Sequence, residues 1–109
     1  MPRRLRPDPL AKRVGARVRA LRNEAGLTLE KLAYESELGS KGHLSDLEKG
    51  LVRPNVVTLQ TLANHLGVAL LDLVTFPDDD RRQKLVDATR RLPADVLERL
   101  LREAQRHGR

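Results

Sequence analysis

The spacing of apolar residues along the chain predicts a series of helices. Between Leu10 and Ala25, the residues Leu10, Val14, Val18 and Leu21 recur at spacings of four, four and three. Arg13, Arg17 and Arg19 lie largely off that stripe, so the segment reads as one amphipathic helix. Gly26 stops it at the position where a residue without Cβ turns left-handed. Thr28 then caps a second helix that carries Glu30 in its first turn. This helix runs to about Ser36 with Leu29, Leu32 and Ala33 inward, and Gly39 breaks the pattern. Ser40 is the N-cap of a third helix, Lys41 to Lys49, in which only Leu44 and Leu47 face inward and which Gly50 ends. Asn55 caps a fourth, whose Leu59, Leu62, Ala63 and Leu66 fall at i, i+3, i+4 and i+7 before Gly67. A short fifth helix covers Leu70 to Val74, and Phe76-Pro77 closes a unit spanning residues 9–77.

The segment 78–109 opens with three aspartates at an expected helix N-terminus and carries two further helical patterns broken at Pro93. Leu85, Ala88 and Leu92 mark the first stripe; Val96, Leu97, Leu100, Leu101 and Ala104 mark the second. No β alternation, internal repeat or low-complexity tract competes. The expected fold class is all-α, with five helices followed by a two-helix C-terminal extension.

A chain of 109 residues, 33% charged and 39% hydrophobic, is one small domain with a short appendage. Cysteine is absent, which excludes disulfides, thiolate metal sites and thiol catalysis, and fits a cytoplasmic protein. The longest apolar stretch, Val68 to Val74, contains Asp72 and is far too short to cross a bilayer, and the basic N-terminus lacks the apolar region of a secretory signal. The net charge of +6 is unevenly placed. Residues 1–26 hold eight cations against Asp8 and Glu24, whereas the segments 27–77 and 78–109 nearly balance. A basic arm, residues 1–8 with Arg3, Arg4 and Arg6, suits a polyanion such as nucleic acid and is expected along the backbone or in a narrow minor groove. An anionic membrane surface would attract it too, and a solubilising tail is the plain alternative.

Two helices separated by a glycine break, the second short and capped at both ends, make a helix-turn-helix whose second helix is narrow enough for the DNA major groove. The outer face of that helix shows Lys41, Gly42, His43, Ser45, Asp46 and Lys49, too polar to be core. These pieces, with Val14-Gly15-Ala16-Arg17-Val18-Arg19-Ala20-Leu21-Arg22, Gly26-Leu27-Thr28, Leu32-Ala33, Leu44 to Gly50, Pro54, Thr58-Leu59 and Leu62 to Val68, resemble the phage-repressor and Cro-like helix-turn-helix transcription factors, the XRE family. The resemblance covers about residues 12–76. It implies a five-helix lambda-repressor-like domain that binds double-stranded operator DNA with its third helix in the major groove. By matching position, Lys41, Gly42 and Asp46 fall where relatives read bases, with Ser40, His43 and Ser45 beside them. Lysine can donate to guanine and Asp46 can accept from cytosine N4. Thr28, Lys49, Arg53 and Asn55 match phosphate-contacting places, and Arg22 and Glu48 match positions that pair between the first and third helices. The sequence departs from the family at Leu29, where a phosphate-binding glutamine is usual, in one extra residue between Tyr34 and Gly39, and at Ala69, where a serine cap is usual.

No Gly-rich phosphate loop, nucleophile elbow or triad context is present, and the three histidines are far apart in sequence, so catalysis, a cofactor and a metal are not expected. Tyr34 and Phe76 are too few for a single-strand stacking platform. The tail stripes exceed what a separate helical hairpin can bury, and so are expected to make the protein a homodimer, docking on the five-helix unit being the alternative. The expected function is a dimeric transcriptional repressor on a near-palindromic operator. An antitoxin-like or controller protein gripping a protein partner with the C-terminal helices, or an interaction adaptor without DNA affinity, uses the same residues differently.

Overall fold

Side chains set the starts of the first four helices. In a computed structural model, which describes residue 3 and residues 5–108, α1 (Pro9–Glu24), α2 (Leu29–Ser36), α3 (Lys41–Glu48) and α4 (Val56–Leu66) are followed by α5 (Leu70–Leu73), α6 (Arg81–Thr89) and α7 (Ala94–His107). Asp8, Thr28, Ser40 and Asn55 each accept from a backbone N–H in the first turn of the helix they precede, those of Ala11, Lys31, His43 and Thr58, at 2.8–3.1 Å. Each such cap satisfies one donor that the helix itself cannot pair. The described residues form helices, turns and loops, with no strand among them.

The chain divides at Phe76: residues up to it form one compact unit, and those from Pro77 on form another. The core of the first joins Val14, Val18 and Leu21 of α1 to Leu32, Ala33, Leu44, Leu47, Leu59, Leu62, Ala63, Leu66 and Leu73, with Leu29 and Phe76 packed at its edge. Each fully buried leucine contributes about 1.5–3 kcal/mol relative to exposure. Val52, in the loop after α3, is also fully buried, although it belongs to no helical stripe.

Several expectations need correction: α3 ends at Glu48 rather than Lys49, and Leu92, expected on the stripe of the first tail helix, lies past the end of α6 at Thr89. Leu10 is 60% exposed and Ala11 takes the inner place instead. The buried line of α1 is Ala11, Val14, Val18 and Leu21, and Leu10, one position earlier, lies beyond its edge where the helix has only just begun. The fifth helix ends at Leu73 rather than Val74. Its missing side-chain cap at Ala69 is offset from the other direction: the buried Asp72 carboxylate accepts from the Ala69 N–H at 2.9 Å, while Arg17 of α1 donates to the Asp72 C=O at 2.8 Å.

In the second unit Asp80 caps α6. Hydrogen bonds from the Gln83 backbone and side chain hold its carboxyl below the usual range. Pro93 precedes α7, where a missing N–H costs nothing. No residue of α6 or α7 is buried.

Candidate nucleic-acid interface

The position of α3 is fixed from its inner side. Leu44 and Leu47 are fully buried. Gly15 of α1 passes so close that a Cβ there would lie less than 3 Å from the Leu47 and Glu48 carbonyls. Arg22 of α1 then clasps Glu48 through two bonds, Nε to Oε2 at 2.7 Å and Nη2 to Oε1 at 3.1 Å. Its Nη1 donates to the Leu27 C=O in the α1–α2 turn at 2.8 Å. Gly50, at φ 79°, closes the helix beside the Lys12 backbone, where a side chain would collide. The close approach at Gly15, the Arg22–Glu48 clasp and the Gly50–Lys12 closure thus tie α3 and its end to α1, and the pairing inferred for Arg22 and Glu48 is present.

Held this way, α3 turns outward the residues expected there. Lys41, Gly42 and Lys49 are exposed, and His43, Ser45 and Asp46 are half-buried. His43 lies against Gly39, whose φ of 120° favours glycine and where a Cβ would sit tightly, 3.2–3.3 Å from the His43 side chain. The α2–α3 turn takes Glu37 left-handed at φ 57° and packs Leu38 on the core. Leu29 packs on the core edge.

Thr28, Ser40 and Asn55 each use an acceptor oxygen for capping. The Thr28 and Ser40 hydroxyl protons and the Asn55 amide NH2 are therefore the donors these caps can offer to an anion at the helix N-termini. Lys41, Asp46 and the neighbouring Arg53 are engaged in ion pairs. Lys41 Nζ donates to Glu30 Oε1 of α2 at 2.8 Å, and that hydrogen bond, aided by the ammonium charge, holds the Glu30 carboxyl below its usual range. Arg53 reaches Asp8 Oδ1 at 2.9 Å, and Arg3 reaches Asp46 Oδ2 at 2.9 Å. The sequence reading missed Glu30, Asp8 and Arg3 as neighbours of this face. Glu30, two positions after the Thr28 cap, was the nearest to a signal. Of the other arm cations, Arg6 is exposed and Arg4 lies outside the described residues.

Residues 13–76 match the model of the helix-turn-helix domain family, a segment that contains α3 with Gly15, Arg22 and Glu48. The chain belongs to the XRE-like family of helix-turn-helix transcriptional regulators. The regulator is 43% identical over 70 residues to the uncharacterized HTH-type transcriptional regulator y4dJ of Sinorhizobium fredii, a match covering 64% of this chain and 90% of that one. It is 36% identical over 61 residues to the immunity repressor protein of Bacillus phage phi105, covering 56% of this chain and 42% of the repressor. Among solved structures, the clp gene regulator ClgR from Corynebacterium glutamicum superimposes with a TM-score of 0.60 at 28% identity, over 87% of this chain and 93% of that one. A DNA-binding regulator of this family is not an enzyme. Among the described residues no helix is long and apolar enough to cross a membrane, and no three His, Asp or Glu residues are grouped to hold a metal ion.

Proposed function

We propose that the regulator binds a specific double-stranded DNA sequence through the outer face of α3 and acts as a dimeric repressor on a near-palindromic operator. The observation that carries the reading is the asymmetry of α3. Its inner side is buried and clasped by Arg22 and Gly15, while Lys41, Gly42, His43, Ser45, Asp46 and Lys49 are left accessible on a rigid support. Lys41 is the principal base-directed group, helped by Asp46, His43 and Ser45, with Ser40 beside them. Thr28, Lys49, Arg53 and Asn55 take phosphates and orient the helix without specifying sequence. Likeness to a phage immunity repressor favours repression over activation.

Dimerisation is supported by α7. Leu97, Leu100 and Leu101 are 41–50% exposed on one face of a helix whose other positions are mostly charged. A second copy gives that stripe a surface to bury against and doubles the number of base-reading side chains, which one module needs to discriminate within a genome. A heterologous protein on the same stripe is the second reading. Gel shifts on random duplex DNA over a range of salt, with sedimentation of the full chain, test both parts. Salt-dependent binding by a dimer is expected. Absence of binding at low salt overturns the DNA reading, and a monomer at micromolar concentration overturns the dimer.

A further inference from the structure

The outer face of α3 is short of base-reading groups. From Lys41 to Lys49 it carries no Arg, Asn or Gln, the side chains that offer two hydrogen bonds to one base, and an ionised Asp46 can only accept. The N-terminal arm lies where it can supply what is lacking. Its root is fastened beside the end of α3: the Asp8 N–H donates to the Gly50 C=O at 3.1 Å, Arg53 pairs with the Asp8 carboxylate, and Pro7 lines a shallow groove with Lys49 and Leu51. Five residues before that root, Arg3 donates through Nε to Asp46 Oδ2, about one turn further along the helix.

We infer that Arg3 is a base-reading residue of the major-groove surface, held by Asp46 toward a guanine. The inference rests on the DNA-binding reading above. An exposed ion pair adds little stability, so the importance of this one is directional. With Nε engaged by Asp46, the two terminal nitrogens of the planar guanidinium remain, and their fork matches the O6 and N7 acceptors of guanine. The same contact neutralises a carboxylate that would otherwise repel phosphates. Asp46 becomes a positioning residue rather than a reader of cytosine, and Arg3 works in the major groove rather than along the backbone or in a minor groove.

The test uses the full chain on a duplex selected from a random pool. Its guanines are replaced one at a time by 7-deazaguanine, which lacks the N7 acceptor, or by inosine, which lacks only the minor-groove amino group. One 7-deazaguanine position is expected to weaken wild-type binding and to leave Arg3→Ala binding unchanged. At that position Arg3→Ala loses discrimination by about 5- to 150-fold, Arg3→Lys recovers only part of it, and Asp46→Asn weakens the same position without moving others. Three results overturn the inference: an Arg3→Ala loss shared equally by all sequences, an inosine effect that disappears with Arg3, or a preference lost in Asp46→Asn but kept in Arg3→Ala. A wild-type chain that selects no duplex is a distinct result, which overturns the DNA-binding reading and this inference with it.

Discussion

Arg22 and Glu48 form a two-bond ion pair whose side chains are only 10% and 6% exposed, joining the last turn of α1 to the last turn of α3. A pair so far removed from water gains little over an apolar contact of the same shape, but removing one partner leaves the other charge buried. Arg22→Ala and Glu48→Ala are each expected to cost about 3–5 kcal/mol, a large share of the stability of a small domain. Glu48→Ala should be the milder, because Arg22 keeps the Leu27 carbonyl. Urea unfolding midpoints measure this, and midpoints equal to wild type would remove the pair from the account of how α3 is held.

Gly15 and Gly42 separate support from surface. At Gly15 a methyl group would meet the Leu47 and Glu48 carbonyls, which are backbone and cannot rotate away. Gly15→Ala is therefore expected to destabilise by about 1–3 kcal/mol, against a helix-propensity gain of about 1 kcal/mol. At Gly42 the methyl group meets only Ser40 Oγ, at an ordinary 3.6 Å. Gly42→Ala is expected to stabilise the free protein by about 0.4–1 kcal/mol. Opposite shifts in melting temperature are the check.

Lys41 and Glu30 offer a reading of the interface without DNA. The Glu30 carboxyl sits below its usual range because Lys41 donates to it. A lowered folded value means that the pair is intact above the ordinary carboxylate range and is lost only as pH falls through the lowered one. In Lys41→Ala the Glu30 carboxyl should titrate nearer the usual range, as followed by NMR. An unchanged titration would mean that Lys41 does not rest on Glu30 in solution.

The tail can be tested by truncation. A chain ending at Phe76 keeps the whole first unit and is expected to sediment as a monomer, while the full chain sediments as a dimer. Equal behaviour of the two would assign the α7 stripe another role.

Much of this was legible in the sequence because it is local. Thr28, Ser40 and Asn55 cap through bonds three residues away, and Gly26, Gly50 and Gly67 end helices by their own backbone geometry. The Arg22–Glu48 pair was reached only through the family resemblance, since nothing in its 26-residue separation signals contact. Leu10 and Ala11 exchanged places because a stripe read by spacing does not say where the core ends. Val52 lies outside any periodic segment, and Asp72 caps α5 from inside the helix, where a search for a preceding serine misses it. The charge count found the arm but not its contact: Arg3 registered as one cation among several, and only the fold brings it to Asp46, 43 residues away.

The claim that the outer face of α3 reads duplex DNA is tested most directly by selecting bound duplexes from a random pool with the full chain and with Lys41→Ala. The account predicts an enriched near-palindrome with half-sites about 10 base pairs apart or a multiple of that. It predicts that Lys41→Ala relaxes one position in each half-site, at a cost of about 1–3 kcal/mol for the preferred base, with the other positions retained. No enrichment by the wild-type chain, or a Lys41→Ala profile that weakens evenly at every position, would contradict it.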